Sequence, residues 1–353
     1  MTLMEEAIEK VIERKNLDDR LAQGAMEELM SGSSTSASIG AFLAGLRSKG
    51  ETPAEIAAFA RVMREKCISI RPQVGRALVD LCGTGGSKLK TFNISTISTF
   101  VVAGAGFPVA KHGNRSNSSQ SGSADLLEAL GVDLSVSAEV VQNAIEEIGV
   151  GFLYAPSFHP AMKHAAGPRK DLGIRTVFNG LGPLTNPASA TRQLIGVYDK
   201  MLVNKFPRVL QRLGVKRALV VHGRRGLDEI STLGPTYVGE LDRGSISEYE
   251  IHPSDFGLPV ASLKDIEDLP PDESAAVALD LLKGNLKGPK YDIVMLNAGA
   301  GIYVAGGADS IMEGIEMARD SVRTGQAFEK LQGLIQKSGT KPKESHLRSQ
   351  LEV

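Results

Sequence analysis

The chain has no tryptophan and two cysteines, Cys67 and Cys82, among its 353 residues. With no CxxC and no paired histidine spacing, the cysteines exclude a zinc cage or a disulfide framework and fit a reducing, cytoplasmic setting. Charge of one sign is also missing: 40 Lys and Arg stand against 41 Asp and Glu, a formal net charge of −1. Bulk electrostatics therefore favour neither nucleic acid nor a membrane surface. Any anionic ligand must be held by local positive groups. Apolar runs such as Phe100–Ala105 fall far short of the roughly 20 residues a bilayer span needs. The opening MTLMEEAIEKVIERKN is mildly acidic and amphipathic, unlike a signal or transit peptide. What is present is 42% hydrophobic and 23% charged, an ordinary folded composition. The length predicts two domains, or one large domain with a smaller companion.

The first seventy residues read as helices. Ile39, Phe42, Leu43 and Leu46 follow the i, i+3, i+4, i+7 spacing of one buried face. Thr52-Pro53-Ala54-Glu55 is a capping box with proline at the first helical position, predicting a helix to about Cys67. Arg71-Pro72 closes the block. From Ala77 the pattern changes. Ala77–Leu81, Val109-Ala110, Phe152–Tyr154, Ala218–Val221 and Ile293–Leu296 read as short strands. Helices capped by Ser95 or Thr96, Ser123 and Ser137 lie among them, the last two ending at Gly131 and Gly149. This alternation predicts a mostly parallel sheet with helices on its faces. The polar stretch Phe158–Asn186 is expected to cross back to the helical block, and Gln336–Ser345 to form a mobile surface segment. No internal repeat is visible.

Four groups of residues carry chemistry. Gly83-Thr84-Gly85-Gly86 follows a predicted strand, and Ser95 and Thr96 then open a helix. Glycines let backbone N–H groups approach an anion, and a helix N-terminus adds free donors. The spacing is neither GxGxxG nor GxxxxGK[ST], so no dinucleotide or P-loop site is indicated. Lys111-His112-Gly113-Asn114-Arg115-Ser116-Asn117-Ser118-Ser119 lies on a strand-end loop, where open α/β sheets bind ligands. Its three basic groups and three hydroxyls suit a pyrophosphate. Asp228-Glu229, beyond the strand Ala218–Val221, offers hard oxygens for Mg²⁺, to be completed by substrate phosphates. Arg169 offers a guanidinium for a substrate carboxylate. His159 and His164 read as packing or surface residues. Together these features point to a magnesium-bound phosphorylated substrate, without naming sugar or acceptor.

Several long motifs resemble one family. Asp80-Leu81-Cys82-Gly83-Thr84-Gly85-Gly86, followed by Thr91-Phe92-Asn93-Ile94-Ser95-Thr96, is similar to the phosphate loop of anthranilate phosphoribosyltransferases. Lys111–Ser119 with Ser121–Asp125 is the segment most characteristic of that family. Phe158–Lys163, Leu172–Thr176, Phe178-Asn179, Leu181–Pro187 and Gly226–Ser231 also match, over about residues 80–235.

The resemblance implies a small N-terminal helical domain and a larger α/β domain with a mostly parallel central sheet flanked by helices, shared with some nucleoside phosphorylases. The boundaries expected are 1–70, completed by part of 158–190, and 75–353. It also implies a homodimer, with the apolar face of the N-terminal helices as candidate surface, a cleft between the domains, and a role in tryptophan biosynthesis. Phosphoribosyl pyrophosphate (PRPP) would be held by Gly83, Gly86, Ser87, Thr91, Asn93, Ile94, Ser95, Thr96, the Lys111–Ser119 loop and Ser123. Gly83, Asn114 and Arg169 would contact anthranilate. Ser95, Asp228 and Glu229 would serve Mg²⁺. Two positions depart from the family pattern. Ser87 stands where an Asp is usual, which implies weaker PRPP binding, and Gln120 where a Lys is frequent. The alternatives at this stage are a pyrimidine nucleoside phosphorylase on the same fold and a non-catalytic paralogue that binds nucleic acid. The basic loop and the acidic pair speak against the first, the net charge against the second.

Overall fold

A computed structural model describes residues 1–116 and 119–339. The expectations for Asn117, Ser118 and the tail after Gly339 lie outside the described residues.

The chain opens with four helices, α1 (Leu3–Ile12), α2 (Asp19–Ser31), α3 (Ser36–Lys49) and α4 (Pro53–Glu65). The capping box at Thr52 and Glu55 is formed as its sequence predicts. Glu55 does more than cap. It is buried and also accepts from the Leu17 amide at 2.8 Å and from Lys49 Nζ at 2.8 Å, so one carboxylate ties three parts of the bundle together.

Next come β1 (Val79–Gly83), α5 (Ile94–Gly104), β2 (Val109–Gly113), α6 (Ser123–Ala129), α7 (Ala138–Ile148) and β3 (Val150–Tyr154). A short turn α8 (Ala155–Phe158), α9 (Lys163–Leu172) and a second short turn α10 (Phe178–Leu181) lead to β4 (Arg192–Gly196), α11 (Met201–Arg212) and β5 (Arg217–Gly223). The hairpin β6 (Thr236–Asp242) and β7 (Ser245–Ile251) precedes α12 (Pro271–Leu282), α13 (Pro289–Ala305), α14 (Ile311–Arg323) and α15 (Gln326–Ser338).

The strands form a seven-stranded sheet in the order β3-β2-β1-β4-β5-β6-β7. Pairings from β3 to β5 are parallel, and β6 and β7 add antiparallel. The chain moves outward from β1 to β3, then returns to place β4 on the other side of β1. That reversal makes the carboxyl ends of β1 and β4, where Gly83 pairs with Gly196, the topological switch point at which such sheets bind ligands. α9 returns to pack on α2 and α3, and Ala165, Val177, Phe178 and Leu181 share the core of the helical bundle. No helix among the described residues is long and apolar enough to cross a membrane.

Four local expectations are corrected. Ile293–Leu296 is helical, inside α13; that helix is buried on nearly every side, so its short apolar run carries no period to separate it from a strand. Asn93, not Ser95 or Thr96, occupies the cap position of α5. Ser123 is the first residue of α6 rather than its cap. Gln336–Ser338 ends α15, with Ser338 buried and its hydroxyl accepting from the Asp133 amide at 3.1 Å, so the polar tail does not begin there.

Candidate active site

A cavity of about 990 Å³ opens over the carboxyl ends of β1 and β2. Every described residue that the sequence singled out for a ligand lines it, from Gly83 and Gly86 through the Lys111 loop to Arg169, Asp228 and Glu229.

The glycine loop leaves β1 with Gly85 at φ +66° and Gly86 at φ +72°, values that only glycine adopts without strain. α5 starts just behind it, its cap residue Asn93 makes no side-chain bond to the first turn, and that turn lines the cavity, where a helix N-terminus favours an anion. Asn93 is bound into the framework: its Nδ2 donates to the Ser121 carbonyl at 3.1 Å and its Oδ1 accepts from Ser274 Oγ at 2.7 Å. Ser87 is buried, and its hydroxyl donates to the Gly226 carbonyl at 2.6 Å. It therefore fastens the glycine loop to the segment that carries the acidic pair.

Lys111, on β2, is buried and donates through Nζ to the Leu81 carbonyl at 2.6 Å and to Ser95 Oγ at 3.2 Å. Burial lowers its pKa, while Asp80, Cys82 and Glu229 oppose that shift. The three basic groups read from this loop do not form one cationic cradle. Burial first, and then the neighbouring His159, pull His112 down to about 3, so its imidazole is neutral. His112 Nδ1 lies 3.0 Å from the Gly182 carbonyl, and its ring centroid lies 5.0 Å from that of His159. Arg115 is held by Glu128 at 2.8 Å, Asp125 at 3.1 Å and the Tyr154 hydroxyl at 3.2 Å. Ser116, Ser119 and Ser123 hydrogen-bond within the loop, the last donating to the Asn114 carbonyl at 3.1 Å.

Asp228 and Glu229 face the cavity from the loop beyond β5. A Cβ at Gly196 would lie 1.6 Å from the Asp228 carbonyl oxygen; strand β4 lets the acidic loop sit down only because that side chain is missing. Burial raises both carboxyls, and repulsion from Asp228 helps carry Glu229 to about 8. The Ser95 amide and hydroxyl beside Glu229 oppose that rise. No group of three His, Cys, Asp or Glu among the described residues could cage a metal alone. Two adjacent half-buried carboxylates facing the cavity, with a hydroxyl beside them, instead fit an open magnesium site finished by ligand oxygens.

Across the cavity Arg169 stacks over Phe178, its guanidinium carbon 5.2 Å from the ring centroid, and burial lowers its pKa. The surface ion pair that is the commoner fate of an arginine is not formed with any acid of the described residues. His159 is buried, as a packing residue should be, with neither ring nitrogen hydrogen-bonded.

Sequence reading assigned no role to Asp80, Asn186 or Arg175, although all three lie in segments it quoted. Asp80 and Asn186 hold the strand ends from below, and Arg175 reaches the Gly86 carbonyl. Their signal is long-range contact, which motif spacing does not contain.

A switch-point cavity lined by a glycine turn, a buried lysine and two adjacent carboxylates fits a phosphorylated ligand. The helical bundle domain of the Glycosyl transferase family matches residues 5–67, and the a/b domain of that family matches residues 75–328. The chain is 49% identical over 332 residues to the anthranilate phosphoribosyltransferase of Persephonella marina, covering 94% of this chain and 98% of the relative. It is 51% identical to that of Thioalkalivibrio sulfidiphilus, over 94% of this chain and 98% of the relative. The crystal structure of the Thermus thermophilus anthranilate phosphoribosyltransferase superposes with a TM-score of 0.90 at 45% identity, over 94% of this chain and 99% of that one. The Saccharomyces cerevisiae enzyme in complex with PRPP and Mg gives 0.87 at 28% identity, over 95% and 97%. The chain belongs to the anthranilate phosphoribosyltransferase family.

Proposed function

We propose that the chain transfers the phosphoribosyl group of PRPP to anthranilate, giving N-(5-phosphoribosyl)anthranilate and pyrophosphate, a step of tryptophan biosynthesis. The observation that carries this reading is the meeting of the glycine loop, Lys111, the Asp228-Glu229 pair and Arg169 around one cavity, in a chain of this family. The yeast relative has been solved with PRPP and Mg and, separately, with 4-fluoroanthranilate.

The donor rests on the Gly83–Gly86 turn, the first turn of α5 and the loop that begins at Lys111. Asn93 and Arg115 serve that site by fixing its walls, because their side chains are already bonded to protein. Ser95, Asp228 and Glu229 hold Mg²⁺, which when bound supplies positive charge to the pyrophosphate oxygens. The anthranilate amine attacks C1 of the ribose, the C1–O bond breaks with its electron pair on pyrophosphate, and the amine proton passes to solvent. An aromatic amine is nucleophilic at neutral pH, so no strong base is required. Positioning and charge stabilisation are the large terms. Lys111 balances charge on the departing group. Arg169 binds the anthranilate carboxylate, and Asn114 and Gly83 complete that pocket. The helical part (1–70 with part of 158–190) and the α/β part (75–353) form the two sides of the cleft. Two copies associate through the N-terminal helices in the cytoplasm. The test is anthranilate consumption by the purified chain with PRPP, with and without Mg²⁺.

A further inference from the structure

Arg175 lies just past Gly173, which ends α9 with φ +62°, and six positions after Arg169. Its Nη2 donates to the Gly86 carbonyl at 2.6 Å, and its guanidinium carbon lies 4.2 Å from the Tyr198 ring centroid. The Tyr198 amide donates to Thr84 Oγ1 at 3.1 Å, and the Thr84 amide to the Gly196 carbonyl at 2.9 Å. One cation thus joins the helix end that carries Arg169 to the glycine turn, and the ring it rests on is bonded to that same turn. No carboxylate of the described residues pairs with Arg175. The turn is held independently on its far side, where Ser87 reaches the Gly226 carbonyl two residues before Asp228.

We propose that Arg175 is a positioning residue that couples the two substrate sites. A donor anion that settles on the turn fixes the Gly86 carbonyl. Through Arg175 it then fixes the end of α9, and with it Arg169 for the acceptor carboxylate. By linkage, acceptor binding must strengthen donor binding by the same factor. This rests on the assignment above of donor to the glycine turn and acceptor to Arg169.

The test is equilibrium binding of anthranilate to the purified chain, read by its fluorescence, with and without Mg²⁺ and inorganic pyrophosphate. Pyrophosphate occupies the donor anion site and has no ribose to transfer. In the unaltered chain it should tighten anthranilate binding by about fivefold or more, within the usual range of such coupling. Arg175→Ala and Arg175→Met should each bring that factor below about twofold, while the affinity for each ligand alone stays near its original value. Arg175 is exposed, so both variants keep the fold, which an unchanged unfolding midpoint would establish. Coupling retained in both variants, or absent from the unaltered chain, would overturn the proposal. So would weaker pyrophosphate binding in the variants with anthranilate absent, because Arg175 would then touch the donor directly. Failure of the unaltered chain to bind either ligand would instead count against the proposed function.

Discussion

Asn186 Nδ2 donates to Asp80 Oδ2 at 2.8 Å beneath the cavity floor, with both side chains fully enclosed. The same amide reaches the Ala110 carbonyl at 2.8 Å, and the other Asp80 oxygen accepts from the His112 amide at 3.2 Å. The pair therefore grips the chain on either side of Lys111. Asn186→Ala removes two donors from a buried carboxylate and carbonyl, at a cost of about 3 kcal/mol, read by urea unfolding. Asn186→Asp sets a second acceptor against Asp80 and the Ala110 carbonyl, so it should destabilise at least as much as Asn186→Ala. A loss below about 1 kcal/mol in Asn186→Ala would remove this role.

The neutral histidine pair makes stability depend on pH. An unfolded imidazole titrates near 6.5, whereas folded His112 titrates at about 3 and His159 at about 4. Between those values and 6.5 the unfolded chain binds more protons, so the stabilising contribution is full above pH 6.5 and is lost as pH falls. Near pH 5 the two together should add about 2.5 kcal/mol per pH unit to the slope. His159→Phe should remove about half of that slope, measured as the difference between the two chains in urea at pH 5 to 7.

The acidic pair behaves in the opposite sense. Glu229 titrates at about 8 in the folded, metal-free protein against an ordinary 4.5. Its contribution is full below pH 4.5 and is lost as pH rises through 8. Glu229→Gln cannot ionise, so the metal-free variant should gain stability relative to the parent as pH rises from 5 to 9. With saturating Mg²⁺ its kcat/KM for PRPP should nevertheless fall by about 100-fold or more, as should that of Asp228→Asn. Unchanged activity in both variants would remove the metal assignment.

Arg169→Ala should raise the KM for anthranilate about tenfold or more, the scale of a lost charge-assisted hydrogen bond, with a smaller change for PRPP. The reverse pattern in a two-substrate kinetic matrix would move Arg169 to the donor side.

The parts of the site legible in the sequence were those whose residue types are themselves the chemistry. A glycine turn after a strand, a lysine at the next strand end and adjacent carboxylates announce an anion and a hard cation wherever they stand. The parts that were not legible depend on distant chain. His112 and Arg115 read as cations, yet burial against His159 neutralises one and Glu128 and Asp125 occupy the other. Asp80 acquires its role only when Asn186 arrives beside it. In the fold, α3 was readable because it has a solvent face, and α4, buried along most of its length, because its capping box marks where it starts. α13 was misread at Ile293–Leu296 because enclosure on all sides erases that period. The hairpin β6–β7 went unread: β7 is a largely exposed edge strand with no apolar run to mark it.

The most direct test of the account is loss of anthranilate fluorescence on mixing the purified chain with anthranilate, PRPP and Mg²⁺. The account predicts a loss that requires both PRPP and the metal, and that shows Ser87 to be compatible with turnover. No loss from the folded chain, with both substrates and Mg²⁺ present, would contradict it.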